Sequence, residues 1–217
     1  MSNLYAFQKT KPNLNAAVAK MRIVFAILFI SGYVPLPRRR MYWEHGSYTF
    51  NIAISEAISV NRFEDILAHL HCADNAKLIA NDKLAKMRSL FDMMNTQFTA
   101  HWPVEQDIDV DEAILAYYGR QSAKQFRRKP IRWGYKVWCL NTRLGYLIHF
   151  DPYTGRSSYD PVLDLGSFID LQLIDPLPDL AYRLYSDNYF TSLHLLGELR
   201  KRNIVATGTI SKATNRD

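Results

Sequence analysis

Residues 107–120 read DIDVDEAILAYYGR, and the periodicity of the chain changes at this stretch. Its first half alternates acidic residues with Ile108 and Val110, which is the two-residue period of a β-strand. The sequence before it has the spacing of amphipathic helices, and the sequence after it contains further aromatic and β-branched runs. We therefore predict an α+β protein with a helical first half and a mixed α/β second half.

Three segments of the first half predict helices. Residues 16–30 end in the apolar run IVFAILFI, which is too short to span a bilayer and is predicted to be a buried core helix. A second helix is predicted from Asn61 as its N-cap, with Glu64 completing a capping box. The third covers residues 83–98, KLAKMRSLFDMMNTQF, with its apolar residues on one face.

The second half predicts five strands and two helices. After the first strand come WGYKVWCL at residues 133–140 and LGYLIHF at 144–150, joined through Gly145 as a hairpin. A helix over residues 160–175, bent near Gly166, leads to a fourth strand, AYRLYSDNYF, at 181–190. The helix TSLHLLGELRKRN at 191–203 and the strand IVATGTI at 204–210 complete the order.

Composition places few limits on function. The formal net charge is +6 and the pI is near 9.3, which is compatible with a polyanionic partner and does not require one. Cys72 and Cys139 are far apart, which excludes a disulfide framework and a CxxC metal site. This cysteine usage fits a reducing compartment such as the cytosol or the nucleus.

Asp111 and Asp187 have similar settings, at or near the ends of the first and fourth predicted strands. If these strands are neighbours in a mixed sheet, the two carboxylates converge although 76 positions separate them (187 − 111). Convergent carboxylates provide the hard oxygen ligands that Mg²⁺ prefers. Two alternatives stay open: Asp187 caps the following helix, or Asp111 belongs to a solvated acidic edge with Asp107 and Asp109. The spacing does not choose among these three interpretations.

Basic residues concentrate after the first strand without an intervening acid. They are Arg120, Lys124, Arg127, Arg128, Lys129, Arg132 and Lys136. We predict that Lys124, Arg127, Arg128, Lys129 and Arg132 bind DNA phosphates, the alternative being a solvated basic loop. The interleaved aromatic residues Tyr117, Tyr118, Phe126 and Trp133 could stack on a ligand or pack, and most of them are predicted to lie in the core. Arg38–Arg40 form a second candidate patch.

Several motifs carry a resemblance to a known family. The segments VNRFEDILAHLHCADN, VDEAILAYYGR, KQFRRKPIRWGYKVWCL and LYSDNYFTSLHLLGELRKRNIVATGTI resemble piggyBac-type transposases in order and spacing. The resemblance extends over essentially the whole chain. It implies a helical DNA-binding and dimerisation region at residues 1–105 and an RNase H-like catalytic core at residues 106–217.

The resemblance also implies a function, that of a DDE/D transposase cutting and rejoining DNA at TTAA targets. Asp111 and Asp187 are the implied catalytic residues and ligands of Mg²⁺, with Mn²⁺ as a possible substitute. The implied partners are transposon ends and, in the full-length family member, a second copy of the chain. The implied location is the nucleus, and no membrane is expected as a partner.

One departure from the family pattern affects the expected activity. The family's third catalytic aspartate lies well downstream of the ATGTI strand, and the chain stops at Asp217. The cysteine-rich zinc module and the acidic N-terminal region of the family are also missing. We therefore expect a truncated core that binds metal weakly and cleaves DNA poorly or not at all. The main alternative is a non-enzymatic DNA-binding protein derived from a transposase, and a third is a protein-interaction module.

Overall fold

The computed structural model describes residues 1–126, 131–155 and 165–210. The chain divides into two compact units, the first formed by residues 1–80 and 85–89 and the second by residues 81–84 and 90–217. The two units are defined by packing alone. They do not test the functional domains predicted at residues 1–105 and 106–217, which stay predictions.

The first unit is built from helices in the part of it that the structure describes. They are α1 (Ser2–Gln8), α2 (Val18–Tyr33), α3 (Ile52–Ala57) and α4 (Val60–Ala68), with 3₁₀ helices at Arg39–Trp43 and Asn75–Lys77. Their core includes Leu14, Val24, Ile54, Phe63 and Ile66, all of them buried. Phe63 and Ile66 lie three residues apart on α4, so one helix face supplies both.

Helix α2 forms where the apolar run predicts it, but only one face of it is buried. Val24 and Ile27 are 0% and 2% exposed, whereas Phe25 and Phe29 are 44% and 73% exposed. The prediction of a core helix is therefore correct for one side of the helix and wrong for the other. Among the described helices, none has the length and apolar character needed to cross a membrane.

Helix α4 begins two residues earlier than predicted. Its N-cap is Ser59, whose side chain accepts a hydrogen bond from the Arg62 backbone N–H at 3.4 Å. Asn61 therefore lies inside the first turn, and Glu64 forms no capping box, because its carboxylate pairs with the Arg40 guanidinium. The predicted N-cap was wrong because serine and asparagine both cap helices well.

In its described residues, the second unit contains a six-stranded sheet and three helices. The strands are β1 (Asp107–Ala116), β2 (Gln125–Phe126), β3 (Trp133–Thr142), β4 (Leu147–Pro152), β5 (Arg183–Ser186) and β6 (Val205–Gly208). The helices are α5 (Ala85–Ala100), which starts in the first unit, α6 (Leu165–Ile174) and α7 (Leu193–Lys201). All five predicted strands are present, and the short β2 is additional. Residues 160–164 of the predicted helix lie outside the described part.

The sheet is mixed, with strand order β2–β3–β1–β5–β6 and β4 also paired to β3. β1 runs antiparallel to β3 and parallel to β5, and β5 runs parallel to β6. The β3–β4 hairpin turns through Gly145, whose φ of +84° is the left-handed conformation that glycine adopts without strain. The first and fourth predicted strands are therefore direct neighbours, as the predicted convergence of Asp111 and Asp187 requires.

Helices cover both faces of this sheet, because successive strand residues point to opposite sides. On one face, Val110, Trp138 and Leu140 join residues of α6 and α7 in the main core. On the other face, Val137, Cys139 and Phe150 pack against α5. The α5 contacts come from Phe91, Met94 and Phe98, which are three or four residues apart.

Candidate functional site

Asp111 and Asp187 lie on adjacent parallel strands. The register of β1 and β5 pairs Val110 with Ser186, so Asp111 is the next residue of β1 and Asp187 is the first residue after β5. Asp111 lies in the middle of β1, at the level where β5 ends and the chain turns away. Both aspartates are exposed. Two residues far apart in sequence are thereby brought to the same level of two neighbouring strands, although Asp111 does not lie at the end of its strand as predicted.

Backbone amides orient both carboxylates. Asp111 Oδ1 accepts a hydrogen bond from the Glu112 N–H at 2.7 Å. Asp187 Oδ1 accepts one from the Tyr189 N–H at 2.8 Å, within a turn in which the Thr191 N–H donates to the Asp187 carbonyl at 3.1 Å. Each carboxylate therefore uses one oxygen locally and keeps lone pairs for a ligand.

Asp187 does not cap the helix that follows it. The N-cap of α7 is Ser192, whose hydroxyl accepts a hydrogen bond from the Leu195 N–H at 3.1 Å. The interpretation of Asp187 as a helix cap is therefore wrong. The side chain instead closes a tight turn between β5 and α7.

The other two acids of β1 are not a solvated edge. Asp107 pairs with Arg183, the Nε–Oδ1 distance being 2.6 Å and the Nη2–Oδ2 distance 2.8 Å. Asp109 accepts a hydrogen bond from the Asn141 amide at 3.3 Å. Burial raises the pKa of Asp109, and the nearby charge of Asp111 raises it further, against the effect of that hydrogen bond.

The donor set at this edge suits a hard divalent cation. Within the described residues, no cationic side chain pairs with Asp111 or Asp187, although Asp107 four positions earlier is paired. No group of three or more His, Cys, Asp or Glu side chains that could hold a metal occurs in the described part of the chain. Carboxylate oxygens are the ligand type that Mg²⁺ prefers, and Mg²⁺ commonly keeps several waters.

Cys139 is a neighbour of this edge but does not add a thiolate ligand. It pairs with Asp111 in the β1–β3 register. Burial raises the pKa of the Cys139 thiol to about 11, with the charges of Asp111 and Asp109 contributing. Sulfur is also a soft ligand, whereas Mg²⁺ takes hard oxygen ligands.

A buried ion pair adjoins the site and was missed from the sequence. Lys136, only 2% exposed, has its Nζ 2.5 Å from Oε2 of Glu112, the residue after Asp111. The same Nζ lies 3.5 Å from the ring centroid of Trp138 and 4.7 Å from that of Tyr189. Lys136 belongs to the basic run but faces the core, because its even position on β3 points to the same side as Trp138. The alternation of side chains along β3 was the sequence feature that could have predicted the burial of Lys136.

The predicted DNA-binding residues are described only in part. Lys124 donates a hydrogen bond from Nζ to the Gly119 carbonyl at 2.9 Å, and its Nζ lies 4.9 Å from the Trp133 ring centroid. Arg132 is exposed. Arg127, Arg128 and Lys129 lie outside the described residues. The prediction that these five residues bind DNA stays a prediction.

The aromatic residues of the basic run are less buried than predicted. Tyr118, Phe126 and Trp133 are 87%, 55% and 45% exposed. The prediction that most of these rings lie in the core was therefore wrong. These three residues lie towards one end of the sheet, beyond the part of β3 that packs against α5.

The second basic patch is largely paired. Arg40 binds the Glu64 carboxylate through Nε at 2.8 Å and Nη2 at 2.5 Å. Arg38 lies 3.5 Å from the carboxylate of Glu44. Arg39 lies over the Phe63 ring at 5.9 Å. These contacts favour a structural role in the first unit over phosphate binding.

Comparison with known proteins gives consistent results. The sequence model of the family described as Transposase IS4 matches residues 1–216. The chain is 40% identical to human PiggyBac transposable element-derived protein 2 over 215 residues, and 39% identical to human PiggyBac transposable element-derived protein 3 over 217 residues. These alignments cover 96% and 97% of the chain and 36% of each relative. The chain thus spans just over a third of the length of these curated relatives.

A solved structure has the same fold. It is the cryo-EM structure of a piggyBac transposase synaptic complex with hairpin DNA, and it superposes with a TM-score of 0.74. The match covers 90% of this chain and 42% of that chain, at 21% sequence identity.

Proposed function

Because the chain belongs to the Transposase IS4 family and is of the piggyBac type, we propose that it provides catalytic residues for metal-dependent DNA strand cleavage and transfer. Asp111 and Asp187 are the proposed catalytic residues and Mg²⁺ ligands, with Mn²⁺ as a substitute. The observation that carries this proposal is the parallel register of β1 and β5, in which Asp111 and Asp187 each follow the last paired residue of their segment.

The chain's own residues would hold and orient the reacting groups. A divalent cation bound at such a site activates an attacking water or hydroxyl and stabilises the leaving oxygen of a phosphodiester. The backbone amides of Glu112 and Tyr189 hold the carboxylates of Asp111 and Asp187 in fixed directions. Lys124 and Arg132 would position phosphates without reading sequence.

The proposal extends to fold and partners. The mixed sheet, with its two central strands parallel and helices on both faces, supports an RNase H-like core. A DNA partner is supported by the structural neighbour, whose complex contains hairpin DNA. TTAA targets, transposon ends, a homodimer, DNA binding by the helical region at residues 1–105 and a nuclear location belong to the same proposal, on the basis of the family.

Metal binding by the folded chain is the direct test. We expect Mg²⁺ and Mn²⁺ to raise the unfolding temperature of the parent protein, because a ligand that binds only the native state stabilises it. Asp111→Asn and Asp187→Asn should each abolish this shift and weaken Mn²⁺ binding measured by electron paramagnetic resonance. Asp107→Asn, on the same strand but paired with Arg183, is the matched control and should keep the shift.

The possible results separate the two functional classes. Loss of metal binding in Asp111→Asn and Asp187→Asn, with retention in Asp107→Asn, would support the carboxylate pair. An equal shift in all four proteins would reject it. A DNA affinity that changes neither with added metal nor with these substitutions would then favour the non-enzymatic DNA-binding alternative.

A further inference from the structure

We propose that Phe126 and Trp133 form a stacking site for an unpaired DNA base, with Lys124 as its cationic flank. We call these three residues the aromatic platform. The inference rests on the proposed function for its ligand class, DNA. It adds which part of the DNA is bound, namely a base that has left the duplex stack.

The two rings are paired by the sheet and open to solvent. Phe126 and Trp133 are direct partners in the β2–β3 register, and their ring centroids are 4.9 Å apart. They are 55% and 45% exposed. Exposed aromatic surface of this kind commonly marks a binding site. Strands hold both rings in place, so little side-chain freedom would be lost when a ligand stacks on them.

The charge around the platform selects an anionic ligand. Residues 113–150 contain no aspartate or glutamate. Lys124 Nζ lies 4.9 Å from the Trp133 ring centroid, and Arg120 and Arg132 are exposed nearby in sequence. A ligand that offers both phosphates to the cations and π faces to the rings is a nucleic acid strand. An acidic peptide could pair with the cations, but its residues do not each carry a flat ring that could stack on Phe126 or Trp133.

The platform lies on the same sheet face as Asp111. The Tyr117 N–H donates to the Trp133 carbonyl at 3.1 Å, so Trp133 is opposite a position six residues beyond Asp111 on the same strand. Even spacing puts both side chains on one face, about 20 Å apart at the usual strand rise. That separation corresponds to about six nucleotides of a stacked strand. The platform and Asp111 therefore face the same side of the sheet, with the Val137 and Cys139 region that packs against α5 between them.

The test compares two DNA probes of equal duplex length, one blunt and one with an unpaired single-stranded end. We expect the parent protein to prefer the second in fluorescence anisotropy titrations. Trp133→Leu and Phe126→Leu should lower affinity for the overhang probe by about 5- to 150-fold, the range for losing one stacked base. Affinity for the blunt probe and its dependence on salt should not change, because the phosphate contacts remain.

A spectroscopic readout and two further variants complete the design. Trp133 is the most exposed of the four tryptophans, so a base stacked on it should quench emission, and Trp133→Leu should remove that quenching. Trp133→Tyr keeps an aromatic face and should restore the overhang preference. Leu180→Ala, which removes an apolar side chain that is 45% exposed, as Trp133 is, and lies outside residues 1–105, is the matched control and should change neither affinity.

Three results would overturn the inference. The first is equal binding of both probes by the parent protein. The second is an equal loss for both probes in Trp133→Leu. The third is a salt-independent self-association that Trp133→Leu abolishes, which would assign the platform to a protein interface. Metal binding in Asp111→Asn and Asp187→Asn is measured without DNA, so a failure of the carboxylate pair is distinguishable from a failure of the platform.

Discussion

At the scale of single residues, the pair formed by Lys136 and Glu112 is a demanding feature of the fold. Burying two charges costs several kcal/mol per ion unless each finds partners. Lys136 is matched by the Glu112 carboxylate and by the faces of Trp138 and Tyr189. Because Glu112 follows Asp111 and Tyr189 lies two residues after Asp187, this lysine joins the two segments that carry the proposed ligands.

Lys136→Met should therefore destabilise the protein strongly. Removing one member of a buried pair leaves the other charge in the interior without that partner, which costs about 3–5 kcal/mol. Denaturant unfolding followed by circular dichroism measures the change. Lys201→Met is the control, because Lys201 pairs with Glu198 at the surface and is 73% exposed. An equally small effect in both variants would contradict the role assigned to Lys136.

His149 predicts a pH dependence of stability. Burial lowers the pKa of its imidazole, and Nδ1 has no hydrogen-bond partner within the described residues. As the pH falls below the ordinary pKa near 6.5, the unfolded chain binds a proton that the folded chain does not yet accept. The free energy of unfolding should therefore decrease between pH 7 and pH 5.

His149→Gln should flatten that decrease, since glutamine does not titrate. Denaturant midpoints measured across this pH range provide the check. His101→Gln, at an exposed histidine, is the control and should keep the parent slope. A parent slope that survives in His149→Gln would assign the dependence to other groups.

At the scale of elements, two glycines in helices predict opposite effects of the same substitution. A Cβ at Gly166 on α6 would lie 2.2 Å from the Tyr189 carbonyl oxygen and 2.8 Å from the Phe190 Cα. A Cβ at Gly197 on α7 would meet nothing within 4 Å. Gly166 is therefore required by the close approach of α6 to the turn after β5, whereas Gly197 is not required by packing.

Gly166→Ala should destabilise the protein by roughly 1–3 kcal/mol, the usual cost of overpacking. Gly197→Ala should stabilise it by about 0.5–1 kcal/mol through helix propensity. Thermal and denaturant unfolding of the two variants give the comparison. A change of the same sign in both would show that the close approach at Gly166 does not control stability.

Elements with strong local patterns were predictable, and their pairing was not. The alternation of β1 and the spacing of α5 identify these elements from the sequence alone. The pairing of β1 with β5 depends on contacts between residues 76 positions apart. The sequence therefore predicts that Asp111 and Asp187 converge only if these two strands are neighbours. The cap of α4 was misplaced because Ser59 and Asn61 are both suitable capping residues, and tertiary packing decides between them.

The same reasoning explains the candidate site. Asp111 and Asp187 followed from the family motifs, whereas Asp187 as a helix cap was an equally local alternative that only the position of Ser192 rejects. Lys136 looked like one more residue of a basic run, and its burial depends on Glu112 across the sheet. Phe126 and Trp133 looked like core residues because hydrophobicity alone does not reveal which end of a sheet stays uncovered.

At the scale of the whole molecule, charge is distributed unevenly. The formal net charge is +6, yet residues 113–150 contain eight basic residues and no acidic residue. One of the eight, Lys136, is buried and paired. The remaining cations of this segment form a local excess of positive charge that a polyanion would contact.

Affinity for duplex DNA should therefore fall steeply with salt. The logarithm of the binding constant should decrease linearly with the logarithm of salt concentration, with a slope of about −0.9 per phosphate contacted. Replacing both Lys124 and Arg132 with glutamine should make this slope shallower, and Lys201→Gln should leave it unchanged. Binding that does not depend on salt would contradict a phosphate-binding surface and favour the protein-interaction alternative.

The parallel pairing of β1 with β5 also has a consequence for folding kinetics. Residues 107–110 meet residues 183–186 only after the intervening chain has folded back, and such long-range closures are slow. We expect the two carboxylates to become adjacent late, after the transition state for folding. A cation held between them would slow unfolding and leave the folding rate almost unchanged, so it would lengthen the lifetime of the folded chain without helping the chain to reach that state.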